Sequence, residues 1–377
     1  MATGIPHSAH QDSGDFGKVL DAFLARPGLP FAEILSAERI QGIFAKHDGL
    51  FGRHGVYTTA IMVWSFLSQV LRDGKEASCQ AAVARVVSYC QQAGIAAPTE
   101  DTGDYCRARA KLSAAALHEL TRDEAAELEQ AADKSWLWKD KHHAKRIDGF
   151  TLTMPDTPQN QAEYPHPKTQ KPGVGLPIAR AVAILKVDAQ IPETIDLHEI
   201  RYNIVEPGRR TQTLDMITTL TDADEYTKED IAELYGFRWN SELDIRSIKA
   251  SLNLGHVRCK SPEMVHREVW TTILAYNLIR TTAAGAALVH GKQPRQISFT
   301  STCQYVLASW MQLSGGLIAE SSLEEYLWLM LKQIAACEVA NRPGRLEPRV
   351  LKRRRHGYPL MQKPRHELRR ELRQRCT

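Results

Sequence analysis

The 377-residue sequence contains no unbroken run of about 18 apolar residues, the length at which an α-helix spans a bilayer, so no membrane span is expected. A leader pattern is missing as well. Residues 1–17 are polar, with His7 and His10, and lack the basic-then-apolar order of a signal peptide. The seven cysteines (Cys79, Cys90, Cys106, Cys259, Cys303, Cys337, Cys376) are odd in number and scattered, and none forms a Cys-x-x-Cys pair. That argues against both a disulfide framework and a zinc cluster, and fits a reducing cytoplasm. No internal repeat is visible. What is present is an ordinary globular composition, 43% hydrophobic and 24% charged, long enough for two or three cored domains.

The net charge of +4 conceals an uneven distribution. Residues 341–377 hold 13 Lys/Arg against 3 Asp/Glu, a balance of +10, which leaves −6 on the rest of the chain. Lys352, Arg353, Arg354, Arg355, Lys363, Arg365, Arg369, Arg370, Arg373 and Arg375 belong to this segment. Such a block attracts phosphate by counterion release, although charge alone does not name a partner.

Periodicity divides the chain into five parts: a flexible N-terminus (1–25), a helical N-terminal domain (26–140), an α/β core (141–290), C-terminal helices (291–340) and the basic tail (341–377). Apolar residues recur at three and four over 57–71, 80–91 and 113–131, and again over 263–288, 301–313 and 322–339. Residues 96–103, with Pro98 and Gly103, read as a connection. From Lys145 the pattern alternates: Ile147, Gly149, Thr151 and Thr153 face one way, Asp148, Phe150, Leu152 and Met154 the other, which predicts a strand. A Pro-rich loop over 155–177 follows, then β-branched runs at 178–187, 194–205 and 210–220. The spacing predicts one helix over 228–251, with Thr227 as N-cap.

That helix carries the sharpest chemical signal. Arg238, Glu242 and Lys249 follow Tyr235 at offsets that fall at roughly 300°, 340° and 320° from it, at about 100° per residue on a continuous helix. One carboxylate, two cations and a phenol therefore share a stripe. A carboxylate can ligate a divalent metal, Arg and Lys can hold phosphates, and Tyr can stack or hydrogen-bond. The ordinary alternative is a solvated face with an Arg238–Glu242 ion pair. Asp148 poses a similar choice, since Asp-Gly is a common turn dipeptide. Yet its strand puts it on the same face as Phe150, Leu152 and Met154, where a carboxylate needs a compensating partner.

Tyr, two residues, Arg, three residues, Glu, six residues, Lys is similar, position for position, to the Tyr-Arg-Glu-Lys signature of the insertion-sequence-four group of DDE transposases. Four such residues should match by chance on the order of 10⁻³ times in a chain this long. The resemblance extends through 230–278 and includes Asp101 to Arg109 (Asp-Thr-Gly-Asp-Tyr-Cys-Arg-Ala-Arg), 148–165, 170–180 and 341–365. It implies an RNase H-like mixed sheet presenting three carboxylates to two divalent metals about 4 Å apart. On that resemblance Asp148 and Glu242 are the first and third catalytic, metal-binding acids. Arg238 and Lys249 grip DNA phosphates, and Tyr235 contacts the transposon end. The implied cofactor is Mg²⁺, with Mn²⁺ as substitute. The implied partners are double-stranded DNA, as terminal inverted repeats and target, and a second copy of the chain in synapsis. The implied place is a bacterial, nucleoid-associated cytoplasm.

The second aspartate of the group ends a strand and is followed by Arg, and no Asp-Arg pair occurs here. The resemblance is continuous to about Leu185 and resumes near Ile191. The join, Lys186-Val187-Asp188-Ala189-Gln190, therefore reads as an in-frame deletion that removes a helix, a strand and part of a β-rich insertion. Asp188, Asp196 and Asp215 are the acids available as replacements. The expected fold is α/β: an incomplete RNase H-like mixed sheet core with a helical N-terminal domain and a helical C-terminal region. The expected function is transposition impaired by the deletion, the alternative being an inactive, truncated transposase that acts as a DNA-binding regulator or remnant.

Overall fold

The computed structural model describes residues 35–52, 55–92, 96–130, 132, 134–142, 146–166, 175–185, 198–204, 212–237, 239–314, 322–339 and 363–375. In chain order the regular elements are α1 (Ala37–Lys46), α2 (Thr59–Val70), α3 (Cys79–Gln92), α4 (Thr102–Arg109), α5 (Ala114–Gln130), β1 (Arg146–Thr153), α6 (Pro158–Glu163), β2 (Ile178–Leu185), β3 (His198–Ile204), β4 (Gln212–Thr218), α7 (Lys228–Gly236), α8 (Trp239–Arg246), α9 (Pro262–Val289), α10 (Phe299–Ser314), α11 (Leu323–Ala336) and α12 (Arg365–Arg375). They form two compact units. The first comprises Met1–Ala131, Thr151–Arg180 and Ser247–Thr377, the second Ala132–Phe150 and Ala181–Arg246.

The first unit is a helical assembly around α2 and α9. α2 is apolar on every face (Ile61, Met62, Val63, Trp64, Phe66, Leu67), and all of these are buried. A helix hydrophobic all round belongs in a core. Its start is set by Thr58, whose side chain accepts a hydrogen bond from the Ile61 N–H. α9 packs on α2, α5, α10 and α11. At 28 residues it is long and apolar enough to cross a membrane by length and composition, although it holds no unbroken run of 18 apolar residues, and 61% of its apolar window is buried inside the protein. It also carries the buried Glu268. α9 is the core helix of this unit.

The expected helices at 57–71, 80–91, 113–131, 263–288, 301–313 and 322–339 correspond to α2, α3, α5, α9, α10 and α11. Two short helices arise where connections are expected. α4 starts at Thr102 inside the 96–103 segment. α6 interrupts the Pro-rich loop, capped by Thr157 with Pro158 in its first turn. Fully buried Asn160 ties α6 down, its amide Nδ2 donating to the carbonyls of Pro155 (3.1 Å) and Cys259 (3.3 Å). Side-chain anchoring of this kind is invisible to periodicity.

The sheets are smaller than expected. Instead of one mixed sheet, the described strands form two separate two-stranded sheets, β1–β2 and β3–β4. β1 has the alternation read from its sequence: Phe150, Leu152 and Met154 are buried, Gly149 and Thr151 exposed. β3 and β4 are antiparallel, with Ile200 opposite Met216 and Arg201 opposite Asp215. Ile200 and Met216 face inward onto Tyr226 and Ile231, with Trp138, Leu220 and Ala232 packed around them. This cluster is the core of the second unit. A lone hairpin is marginal in water, so the packing of α7 on β3 supplies what a third strand would.

The predicted continuous helix over 228–251 is corrected. α7 ends at Gly236, the Phe237 N–H turns back to the Leu234 carbonyl (3.2 Å), and α8 restarts at Trp239. Glycine is a poor helix former, by about 1 kcal/mol, and occupies the break. After Arg246 the chain widens into a π turn, Ser247–Ser251. There the Leu252 N–H donates to the Ser247 carbonyl (3.0 Å), and Asn253, at a φ of 57°, closes the turn. The single stripe drawn for Tyr235, Arg238, Glu242 and Lys249 presumes unbroken 3.6-residue periodicity from 235 to 249, which the described residues do not have.

Candidate active site

Asp148 is the third residue of β1, in the half of the strand that belongs to the second unit. Its side chain lies outside the described residues, as does all of Arg238. Glu242 sits in the first turn of α8, half-buried, where the positive end of the helix dipole favours a carboxylate. Its neighbours Ser241 and Asp244 are buried. Tyr235, on α7, is 39% exposed.

Lys249 lies in the π turn of the first unit, half-buried. Its aliphatic stem runs along Gly255, where an added Cβ would stand 3.5 Å from the Lys249 Cε. The Gly255 carbonyl in turn accepts from the Thr153 N–H (3.1 Å) and hydroxyl (2.8 Å). The Val257 N–H donates to the Thr153 carbonyl (2.9 Å), making a short parallel bridge. The structure thus fastens the C-terminal end of β1 to the loop that follows the Lys249 turn. Nothing in the local sequence around 153 or 255 predicts this contact.

The buried Glu268 carboxylate holds the continuation of that loop, accepting from the N–H groups of Arg258 (3.0 and 3.1 Å) and Cys259 (2.9 Å). Burial, and then the Glu268 charge, push the Cys259 thiol well above its ordinary range. Cys259 is therefore no ready thiolate.

In the second unit the start of α7 is strongly anchored. Thr227 and Asp230 form a reciprocal capping box, and Lys139 Nζ donates to Asp230 Oδ2 at 2.7 Å. The Lys139 ammonium, then Thr227, holds the Asp230 carboxyl below its usual value. Trp138 stacks on Tyr226, Lys141 pairs with Glu225, and His142 shares a 2.7 Å hydrogen bond with the Tyr226 hydroxyl. Trp138 is thus a packing residue.

Of the replacement acids, Asp188 and Asp196 lie outside the described residues, as does the 186–190 join. Asp215 lies on the outer face of β4, 51% exposed, bonded to Arg201 Nε at 2.6 Å directly across the strands. It already serves as one half of a surface ion pair. Among the described residues no three His, Cys, Asp or Glu side chains come together as metal ligands.

Known proteins supply the remaining observations. A family profile described as the transposase DDE domain matches residues 65–278, which include Asp148, Tyr235, Arg238, Glu242 and Lys249. The chain is similar to transposase InsG for insertion sequence element IS4 of Escherichia coli strain K12, 30% identical over 165 residues, 43% of this chain and 37% of that protein. It is also similar to the transposase for insertion sequence element IS421 of Escherichia coli, 36% identical over 64 residues, 17% of each. The aligned portions therefore span well under half the length of these relatives. No solved structure matches. Because the matched segment covers more than half of the sequence, the chain belongs to the transposase DDE domain family.

Proposed function

We propose that this chain is an insertion-sequence transposase whose chemistry is impaired by a missing acid. On this reading it binds terminal inverted repeats of double-stranded DNA, frees a 3′-hydroxyl and directs it into target DNA. The observation that carries the reading is the family match over 65–278, which takes in the Tyr-Arg-Glu-Lys spacing and Asp148 together. Family membership also supports an RNase H-like arrangement around β1, and a homodimer that brings two DNA ends together.

In this proposal Asp148 and Glu242 would hold Mg²⁺, or Mn²⁺ in its place; when bound, such ions activate the attacking hydroxyl and stabilise the leaving oxygen. The donor set reads one carboxylate short: the group's second aspartate has no Asp-Arg counterpart in the sequence, and of the three replacement acids Asp215 pairs with Arg201 while Asp188 and Asp196 lie outside the described residues. Weak metal retention and slow cutting follow, since each lost 1.4 kcal/mol of transition-state stabilisation costs about tenfold in rate. The chain's own contribution is positional. Arg238 and Lys249 hold phosphates beside the cut, and Tyr235 packs against the distorted end. The basic 341–377 segment supplies sequence-independent attraction to DNA. Action at the bacterial nucleoid goes with this reading.

The same shortage favours a second reading, a DNA-binding regulator without nuclease activity. A nicking assay on a labelled duplex carrying the element's flanking repeat, in Mg²⁺ and then Mn²⁺, separates the two. Slow cutting at the repeat boundary that disappears in Glu242→Ala supports the transposase. Binding without cutting in either metal supports the regulator. Neither binding nor cutting sinks both.

A further inference from the structure

Within the first unit, a cavity of about 160 Å³ opens between α2, the start of α3, α4 and the 258–268 segment. Two guanidiniums line it, those of Arg109 and Arg258, with Gln69, Ser78, Cys79, Cys259 and Glu268. Arg109 is largely withdrawn from water. Its planar head lies over the rings of Phe66 (5.0 Å) and Tyr105 (5.5 Å). Its Nη1 donates to Gln69 Oε1 at 2.8 Å, while its Nε is buried with no acceptor. Among the described residues no carboxylate pairs with it. A buried cation without a counter-charge is costly and calls for an anion.

The surroundings hold that cation in one position. Gln69, itself buried, also accepts from the Tyr105 hydroxyl (2.9 Å) and donates to the Ala77 carbonyl (2.8 Å), which fixes the direction of its oxygen. Arg258 is partly exposed and held by the Arg72 carbonyl (3.3 Å), with Asp73 at 3.8 Å. Ser78 and Cys79 bring the N-terminal end of the 14-residue α3 to the cavity wall. Ser78 caps this helix, its Oγ accepting from the Ala81 N–H (3.1 Å), while the N–H groups of the first helical residues, Cys79 and Gln80, have no acceptor within the helix. Glu268 is the one negative charge in the wall, and its oxygens already accept two backbone N–H groups.

We propose that this cavity binds a phosphate-type oxyanion, gripped by Arg109 and Arg258 at the head of α3. The volume admits one tetrahedral phosphate with a few waters. The group is either a free oxyanion or one phosphodiester of bound DNA, and the same chemistry serves both. The site lies in the helical segment carrying Asp101 to Arg109 and owes nothing to Asp148 or Glu242, so it stands or falls apart from the nicking reaction.

The test uses the full chain with Arg258→Gln, which removes a partly exposed charge, and Arg109→Lys, which keeps the charge but loses the planar fork. In the first arm, inorganic phosphate is added at constant ionic strength against chloride. A rise in Tm of about 2–4 °C near ten times the dissociation constant, lost in both variants, is the expected result for a free oxyanion. In the second arm, a non-specific duplex is titrated at several salt concentrations. A fall of about 0.9 in the slope of log K against log salt for Arg258→Gln marks a DNA phosphate in the site. If neither the phosphate-induced shift nor the salt slope depends on Arg109 or Arg258, the proposal is overturned. Should Arg109→Lys fail to fold, Arg258→Gln alone decides.

Discussion

Glu124 shows how one side chain can set a pH response far from any candidate site. It lies on α5 against α9, with one carboxyl oxygen bonded to the Thr281 hydroxyl and the other buried without a partner. Burial is the main cause that pushes its pKa up from 4.5 to about 7, with the Thr281 hydrogen bond acting in the opposite direction. The folded state therefore binds this proton more tightly than the unfolded chain. Its stabilising contribution is complete below the unfolded value of 4.5 and is lost as pH rises through about 7. Across that window the change amounts to about 3 kcal/mol. Glu124→Gln keeps the shape and removes the proton. Urea unfolding at pH 5 and pH 8 should show wild type losing stability of that order relative to the variant, and parallel behaviour of the two proteins would refute the burial argument. Asp215 is the residue-scale contrast: a carboxylate on the outer face of its sheet, paired with the arginine directly across the strands.

At the scale of elements, the segment after Thr227 is three pieces rather than one. Its beginning is the best-determined part, because the capping box satisfies donors on both Thr227 and Asp230. Thr227→Ala should lower the stability of α7 by about 1 kcal/mol. Hydrogen exchange of the α7 amides would then speed up about fivefold, whereas unchanged exchange would mean that the Lys139–Asp230 pair alone holds this end. The break at Gly236 and the π turn at Ser247–Ser251 interrupt the regular 3.6-residue period that the sequence pattern presumes. The helix start was legible because Thr and Asp three apart form a local signal. The interruptions were not, because they depend on what the chain meets next, including the bonds between Gly255 and the end of β1.

For the whole molecule, charge is the property most easily read without a fold. Removing 341–377 takes the net charge from +4 to −6. DNA affinity of the shortened chain should fall and its dependence on salt should flatten by several units, measured by anisotropy on a non-specific duplex. An unchanged slope would place the electrostatic contacts on the body of the protein instead. The sequence by itself determined this charge division, the alternation of β1, the apolar helices of the first unit, and the spacing of Tyr235, Arg238, Glu242 and Lys249. All of these follow from residue type and short-range period. Only the tertiary structure decided that the described strands form two small sheets, that Asp215 pairs with Arg201, and that Arg109 lies beside an open cavity with no carboxylate paired to it among the described residues. The reason is physical: pairing and desolvation are set by neighbours tens to hundreds of residues away, and no local pattern records which neighbours those will be.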